Sequence, residues 1–437
     1  MRILYNLFLH AYHLLVRLAA PFSVKAALWV RGRRGWRERM QRQDPAGQPL
    51  AWFHCASLGE FEQGRPVMER FREAFPGHKV LLTFFSPSGY EVRKAYAGAD
   101  YVHYLPLDTP SAAGHFLEVW KPSLAVFIKY EFWFNMVEAL AARGIPLLVV
   151  SAIFRPQQHF FRWYGGWFRR RLRLVTHFLV QNQASLRLLN KAGISRASIS
   201  GDTRFDRVVA IARQSVHIPE LDPFLAGSRP VVVAGSTWPK DEHLLARLLE
   251  EQPGLRLVVA PHEVSSARIS QLCSRFGDRA LCLSDLKRQG GAAGGQGRDG
   301  GAAMALPGKN VLVVDAIGLL SGLYRFATLA YIGGGFGKGI HNILEAAAYG
   351  APVFFGPRYG QFAEAVDLIG KGGAFCVRDA EGLKEGVARL LGDPLRLKEA
   401  SAACRQYVEG NRGATERVLE VIRSFLADAE PAKAGEK

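Results

Sequence analysis

"LAWFHCASLGEFEQGRPVMERFREAFPGHKVLLTFFS", Leu50 to Ser86, carries three patterns in a row. "LAWFHCAS" is a short apolar run and reads as a strand. "QGRPVMERFREAF" reads as a helix, and "KVLLTFFS" as a second strand. Short β-rich apolar runs separated by helical windows predict a parallel sheet covered on both faces.

The alternation continues in both directions of the argument. "YVHYLPLD", "LAVFIKYEF" and "IPLLVVSAIF" follow, with helical "FNMVEALAARG" before the last, and "THFLVQN" and "SISGDTRFD" complete a half. "VHIPELDPFLAGSRP" breaks the pattern with prolines and reads as a linker. The pattern then restarts with "VVVAGST", helical "KDEHLLARLLEE", "LRLVVAPH", a helix from Ser265 to Phe276, "NVLVVD", an apolar run at 326–334, "APVFFG" and "GAFCV". The fold class expected is α/β, with two doubly wound, Rossmann-like domains facing across a cleft. Their expected bounds are 46–215 and 230–425, joined by a linker at 216–229, with a disordered tail at 426–437. Glycine-rich Gly290 to Ala305 reads as a surface loop inside the second domain. No solenoid repeat is present.

The bulk numbers agree. A chain of 437 residues exceeds one compact core, and 49% hydrophobic with 22% charged residues is a globular composition. The net charge of +17 favours an anionic partner: nucleic acid, an acidic membrane surface or a phosphorylated substrate. The five cysteines are scattered without a CxxC pair, so reduced thiols and no zinc site are expected. Residues 1–42 hold nine Arg or Lys against one acid, Glu38. "ILYNLFLHAYHLLVRLAAPF" is apolar but interrupted by Asn6, His10, His13 and Arg17, which is too broken for a span of about 20 apolar residues. No small-residue cleavage site follows. Residues 1–45 therefore read as a basic helical segment in a membrane interface, its arginines on lipid phosphates. A helix packed on its own domain is the alternative.

Residues just after the strands carry the candidate chemistry, because ligands in such folds sit beyond the strands' carboxyl ends. "YIGGGFGKGIHNILEAAAYGAPVFFGP", Tyr331 to Pro357, is a strand, a glycine cluster and a helix start. It fails GxxxxGK[ST], because Gly339 follows Lys338, and it fails GxGxxG read from Gly333. A phosphate-binding turn of another sort remains, with Glu345 able to hydrogen-bond a ribose or cap the helix. Ser236 and Thr237 follow another strand, where capping competes with phosphate binding. Pro261 and His262 stand at a third strand end. In the first half Glu60, Glu131 and Arg204 follow three strands. A base, a second carboxylate and a cation suit sugar transfer, and helix capping or surface ion pairing is the alternative.

"FHCASLGEFEQ", "KYEFWFN", "GDTRFD", "AGSTWPKDE", "APHE", "DAIGLLSGLY" and "GGGFGKGIHNILEAAAYGAPVFFGPRYGQFAEA" together resemble the 3-deoxy-D-manno-octulosonic acid (Kdo) transferases of lipopolysaccharide synthesis. The resemblance runs in order over most of residues 1–425. It implies a metal-independent glycosyltransferase of GT-B fold with no cofactor. Such an enzyme moves Kdo from CMP-Kdo to a lipid A precursor at the cytoplasmic face of the inner membrane. By resemblance Glu60 is the general base, Glu131 an acid supporting the transition state, and Arg204 a cation where many members have Lys. Pro261 and His262 stand where members commonly have Pro-Arg. Ala316, Ile317 and Gly318 match the loop around the cytidine, and Asn342, Ile343, Leu344 and Glu345 the segment that holds CMP. The implied partners are CMP-Kdo, the lipid A precursor and an anionic membrane surface, with no nucleic acid. Two other readings stay open: a glycosyltransferase using a different nucleotide sugar, and a non-catalytic protein that binds anionic membranes.

Overall fold

The computed structural model describes residues 1–43, 45, 47–214, 219–225, 227–293 and 308–427. Most of the glycine-rich segment, the tail from 428, and 216–218 and 226 of the expected linker lie outside them. The chain forms two compact units, Met1–Arg207 with Asn411–Lys437, and Val208–Gly410.

The first unit holds β1 (Leu50–Cys55), β2 (Lys79–Phe84), β3 (Tyr101–Tyr104), β4 (Leu124–Ile128), β5 (Leu147–Ala152), β6 (His177–Val180) and β7 (Ala197–Ile199). Their order is β3-β2-β1-β4-β5-β6-β7, and every pairing is parallel. Two cores lie on its two faces, and strand periodicity divides the residues between them. Ala51, Phe53 and Cys55 of β1 enter one core with Leu124, Val126 and Ile128 of β4. Trp52 enters the other with Ala125 and Phe127. This two-sided burial explains why the strands read as unbroken apolar runs.

The second unit holds β8 (Val231–Thr237), β9 (Arg256–Pro261), β10 (Ala280–Cys282), β11 (Val311–Val313), β12 (Leu329–Ile332), β13 (Val353–Phe355) and β14 (Ala374–Cys376). They form a second parallel sheet of seven, ordered β10-β11-β9-β8-β12-β13-β14.

Two elements depart from the sequence expectation. The helix after β1 begins at Leu58 rather than near Gln63 and runs to Ala74, with Pro66 inside it. Gly64 is what brings it close to the sheet: a Cβ there would lie 2.9 Å from the Ile128 side chain. The second departure is a correction to the 230–425 boundary. The helix Ala414–Ala427 returns to the first unit, where Val418, Leu419 and Ile422 are fully buried against β1, β2 and β4. Asp206 fastens its start by accepting from the backbone N–H groups of Gly413 (2.5 Å) and Thr415 (2.6 Å).

The basic N-terminal segment forms the helices Arg2–Ala19 and Val24–Arg33. Tyr5 donates to Asp108 Oδ2 at 2.6 Å, and Asp108 also accepts from the backbone of Asn135 and Met136. Burial pushes the Asp108 carboxyl up to about 7. Leu9 is buried, whereas Ile3, Leu4, Leu7, Phe8, Leu14, Leu15 and Leu18 are exposed. No helix among the described residues is long and apolar enough to cross a membrane.

Candidate active site

Glu60 occupies the first turn of the helix Leu58–Ala74, whose preceding residue, Ser57, is extended. The Ser57 hydroxyl donates to Glu60 Oε2. Glu131 comes from the turn after β4. Lys129, the first residue of that turn, has φ of +67°, a left-handed conformation that costs a non-glycine residue free energy and is often kept at functional sites. The two carboxylates are neighbours. Burial first, and the Glu60 charge second, push the Glu131 carboxyl up to about 7, while Lys129 pulls it down. Glu131 therefore holds its proton to higher pH than an ordinary carboxyl does.

A buried hydrogen-bond chain holds the Glu131 turn in place. Trp133 Nε1 donates to His54 Nε2 at 3.0 Å, so the His54 proton lies on Nδ1, 2.9 Å from Thr83 Oγ1. Thr83 Oγ1 also accepts from Trp52 Nε1 at 2.8 Å. Burial pushes the His54 imidazole down to about 3, so it stays neutral. His54 is thus no acid or base for the reaction; it links β1 and β2 to the turn that carries Glu131.

Arg204 follows β7. Its Nε and Nη2 both reach Asp202 Oδ2, at 2.8 and 2.7 Å, and its backbone N–H donates to Asp202 Oδ1. Thr203 Oγ1 donates to the Gln63 carbonyl at 2.6 Å, one turn along the helix from Glu60. Thr203 Oγ1 also lies 3.0 Å from Ser151 Oγ, whose residue sits at φ of +53° beside a register shift in β5. The structure thus ties the Glu60 helix and the Arg204 segment together.

In the second unit, the turns after β8, β9 and β12 meet. Ser236 has φ of +52° beside a register shift in β8. Thr237 Oγ1 donates to Glu242 at 3.0 Å. Asp241 joins two of the turns: it accepts from the backbone N–H groups of Trp238 (2.9 Å) and Gly334 (3.0 Å) and from the Tyr331 hydroxyl (2.8 Å). Glycine is needed at 335, where a Cβ would lie 2.5 Å from the Gly356 backbone nitrogen. Pro261 ends β9, and His262 stacks between Trp238 (4.7 Å) and His341 (4.5 Å). Burial, with His262 beside it, pushes His341 down to about 4.

Asn342 Nδ2 donates to Glu345 Oε1 at 3.0 Å, and Asn342 Oδ1 accepts from the Leu344 N–H. The helix that follows is short, Leu344–Ala348. Ile343 and Leu344 are fully buried, so their side chains pack the turn. Ala316 and Ile317 follow β11 in a turn completed by Gly318 at φ of +90°. Ile317 is 86% exposed, a large apolar surface at a strand tip. Among the described residues no group of three or more His, Cys, Asp or Glu is placed to hold a metal ion.

Sequence reasoning missed His54, Trp133, Asp241, Trp238 and His341. Asp241 had a signal, an acid three residues after Trp238, the position from which a carboxylate accepts from the backbone N–H of the residue before the helix. The His54 chain had none, because its members lie far apart in sequence.

Residues 34–207 match the family model described as "3-Deoxy-D-manno-octulosonic-acid transferase (kdotransferase)". A 3-deoxy-D-manno-octulosonic acid transferase of Bordetella pertussis is 29% identical over 398 residues, covering 87% of this chain and 89% of the relative. That of Haemophilus influenzae is 25% identical over 390 residues, covering 86% and 87%. Among solved structures, the UDP-GlcNAc 2-epimerase of Neisseria meningitidis superposes with a TM-score of 0.59 at 17% identity, over 86% of this chain and 99% of that one. That likeness is one of fold and supports a two-domain α/β architecture of GT-B type.

Proposed function

We propose that this chain is a glycosyltransferase of the Kdo transferase family, acting in lipopolysaccharide biosynthesis, with CMP-Kdo as its donor and a lipid A precursor of the lipid IVA type as its acceptor; the match of residues 34–207 to the family model and the relatives of 25–29% identity over most of the chain support this. The donor binds at the turns after β8, β9, β11 and β12. Its phosphate meets the glycine turn, its base the Ala316–Gly318 turn, and its ribose Glu345. The first unit supplies the chemistry.

The observation that carries this reading is the coupling of Glu60 and Glu131. Glu60 takes the proton from the acceptor's sugar hydroxyl as that oxygen attacks the anomeric carbon of Kdo. The bond from that carbon to the CMP phosphate oxygen breaks, and CMP leaves with the bonding pair. Positive charge builds on the sugar ring in an oxocarbenium-like transition state. Protonation of Glu60 removes one of the two causes that hold the Glu131 carboxyl up, so the ionised form of Glu131 is favoured as that positive charge appears, its proton passing to solvent. Arg204, oriented by Asp202, supplies a cation towards the departing phosphate. A monophosphate needs less charge compensation than a diphosphate, in keeping with a metal-free reaction.

The acceptor is a lipid, and the exposed leucine face of the helix Arg2–Ala19 supports seating on an anionic membrane surface, the cytoplasmic face of the inner membrane. Incubation with CMP-Kdo and the tetraacylated precursor, followed by mass analysis of the lipid, tests the proposal. Kdo added with CMP-Kdo and not with UDP-sugars upholds it. An unchanged lipid overturns it.

A further inference from the structure

The segment from Ile153 to Gly201 contains no aspartate or glutamate, yet it carries nine Arg or Lys. Arg169, Arg173 and Lys191 from this segment line one groove of about 530 Å³ together with Pro156, Phe161 and Leu188. The two arginines are fixed without being neutralised. Arg169 Nη1 donates to the carbonyls of Phe160 and Arg162, both at 2.9 Å. Arg173 Nη2 donates to the Ala192 carbonyl at 3.2 Å. Within the segment and among the described residues, it is Arg171 that pairs with a carboxylate, Glu138 at 2.7 Å. Three like charges around one groove repel each other, and an anion in the groove reverses the sign of that energy.

The neighbouring chain points to where the anion comes from. Trp163 is 92% exposed and Tyr164 52%, and both sit in the turn just before the helix Gly166–Leu172 that bears Arg169. Tryptophan and tyrosine are the side chains that favour the headgroup layer of a bilayer. The same helix meets the N-terminal one: Tyr5 packs on Trp167 at 5.8 Å, and Arg2 and Arg171 share Glu138. The aromatic turn, the groove and the exposed leucine face therefore belong to one unit and adjoining elements.

We propose that the groove formed by Arg169, Arg173 and Lys191 binds the phosphate of an anionic phospholipid headgroup, with Trp163 and Tyr164 entering the headgroup layer beside it. This second foot deepens the membrane-seating part of the proposed function and is independent of its chemistry. The test uses flotation of the full chain with vesicles of phosphatidylglycerol and phosphatidylcholine, against vesicles of phosphatidylcholine alone. Lys191→Gln, at an exposed position, weakens binding to the anionic vesicles about fivefold, and adding Arg173→Gln weakens it by about a further fivefold. Both variants keep wild-type thermal unfolding and wild-type Kdo transfer to a detergent-dispersed acceptor. Equal flotation of wild type and variants overturns the proposal, as does equal binding to the neutral vesicles. Loss of transfer in detergent overturns it in favour of a site for the acceptor itself. Displacement by inorganic phosphate at matched ionic strength overturns it in favour of a free phosphate site. Charge-dependent capture of a single-stranded oligonucleotide that blocks flotation overturns it in favour of nucleic acid.

Discussion

Replacing Glu60 by Gln changes a charge and almost nothing in shape, so its effect on Glu131 isolates the electrostatic coupling. The Glu131 carboxyl stands at about 7 against an ordinary 4.5. That displacement is worth roughly 3 kcal/mol between the two protonation states. Burial is the larger cause, the Glu60 charge the next, and Lys129 opposes both. The Glu60 charge thus supplies the smaller part of the upward push. Glu60→Gln is expected to lower the Glu131 midpoint below about 7 yet leave it above the ordinary 4.5, because burial is untouched. Infrared difference titration of the carboxylic acid band reads this directly, with Glu131→Gln identifying the band. The same variant is expected to bind CMP-Kdo nearly normally and to lose turnover. A Glu131 midpoint that stays near 7 in Glu60→Gln would refute the coupling. A fall all the way to the ordinary value would refute burial as its main cause.

Three other perturbations have definite outcomes. Asp108→Asn tests the clamp on the N-terminal helix. The raised carboxyl means the folded state holds its proton more tightly, so that stability is fully present below pH 3.8 and lost as pH rises through about 7. Wild type should lose up to roughly 4 kcal/mol across that window through this group, and the Asn variant should lack that slope in urea denaturation at stepped pH. Asp241→Ala strands two backbone N–H groups and the Tyr331 hydroxyl, a cost of about 3 kcal/mol or more. Unchanged denaturation midpoints would mean that water replaces the carboxylate. Ile422→Ala empties a fully buried site on the first sheet and should destabilise by ~3 kcal/mol in calorimetry, with a negligible shift sinking the assignment of that helix to the first unit.

Much of this architecture can be read from the chain because parallel strands buried on both faces leave an unmistakable mark. β1, β4 and β5 are continuous apolar runs, and each was legible as a strand. The start of the helix carrying Glu60 is not legible, because "SLGE" offers no sustained apolar periodicity before Phe61, whereas tertiary packing through Gly64 extends the helix backwards to Leu58. The unit to which the final helix belongs is hidden for a related reason. Val418, Leu419 and Ile422 announce an apolar face but not which sheet it covers. At the site, Glu60, Glu131 and Arg204 were visible as polar residues at strand ends. That Arg204 would be paired with Asp202, and that a neutral His54 would hold the Glu131 turn through Trp133, depend on contacts between distant segments that no local pattern records.

The return of Ala414–Ala427 to the first sheet makes that unit discontinuous, with about 200 residues of another unit inserted before its last piece is synthesised. On the ribosome, Phe53, Val80 and Val126 must wait with one wall of their core missing until the second unit has been made. During that interval the face that Val418 and Ile422 will cover is open to chaperones and to other nascent chains, so the yield of active protein should depend on how quickly the C-terminal helix arrives.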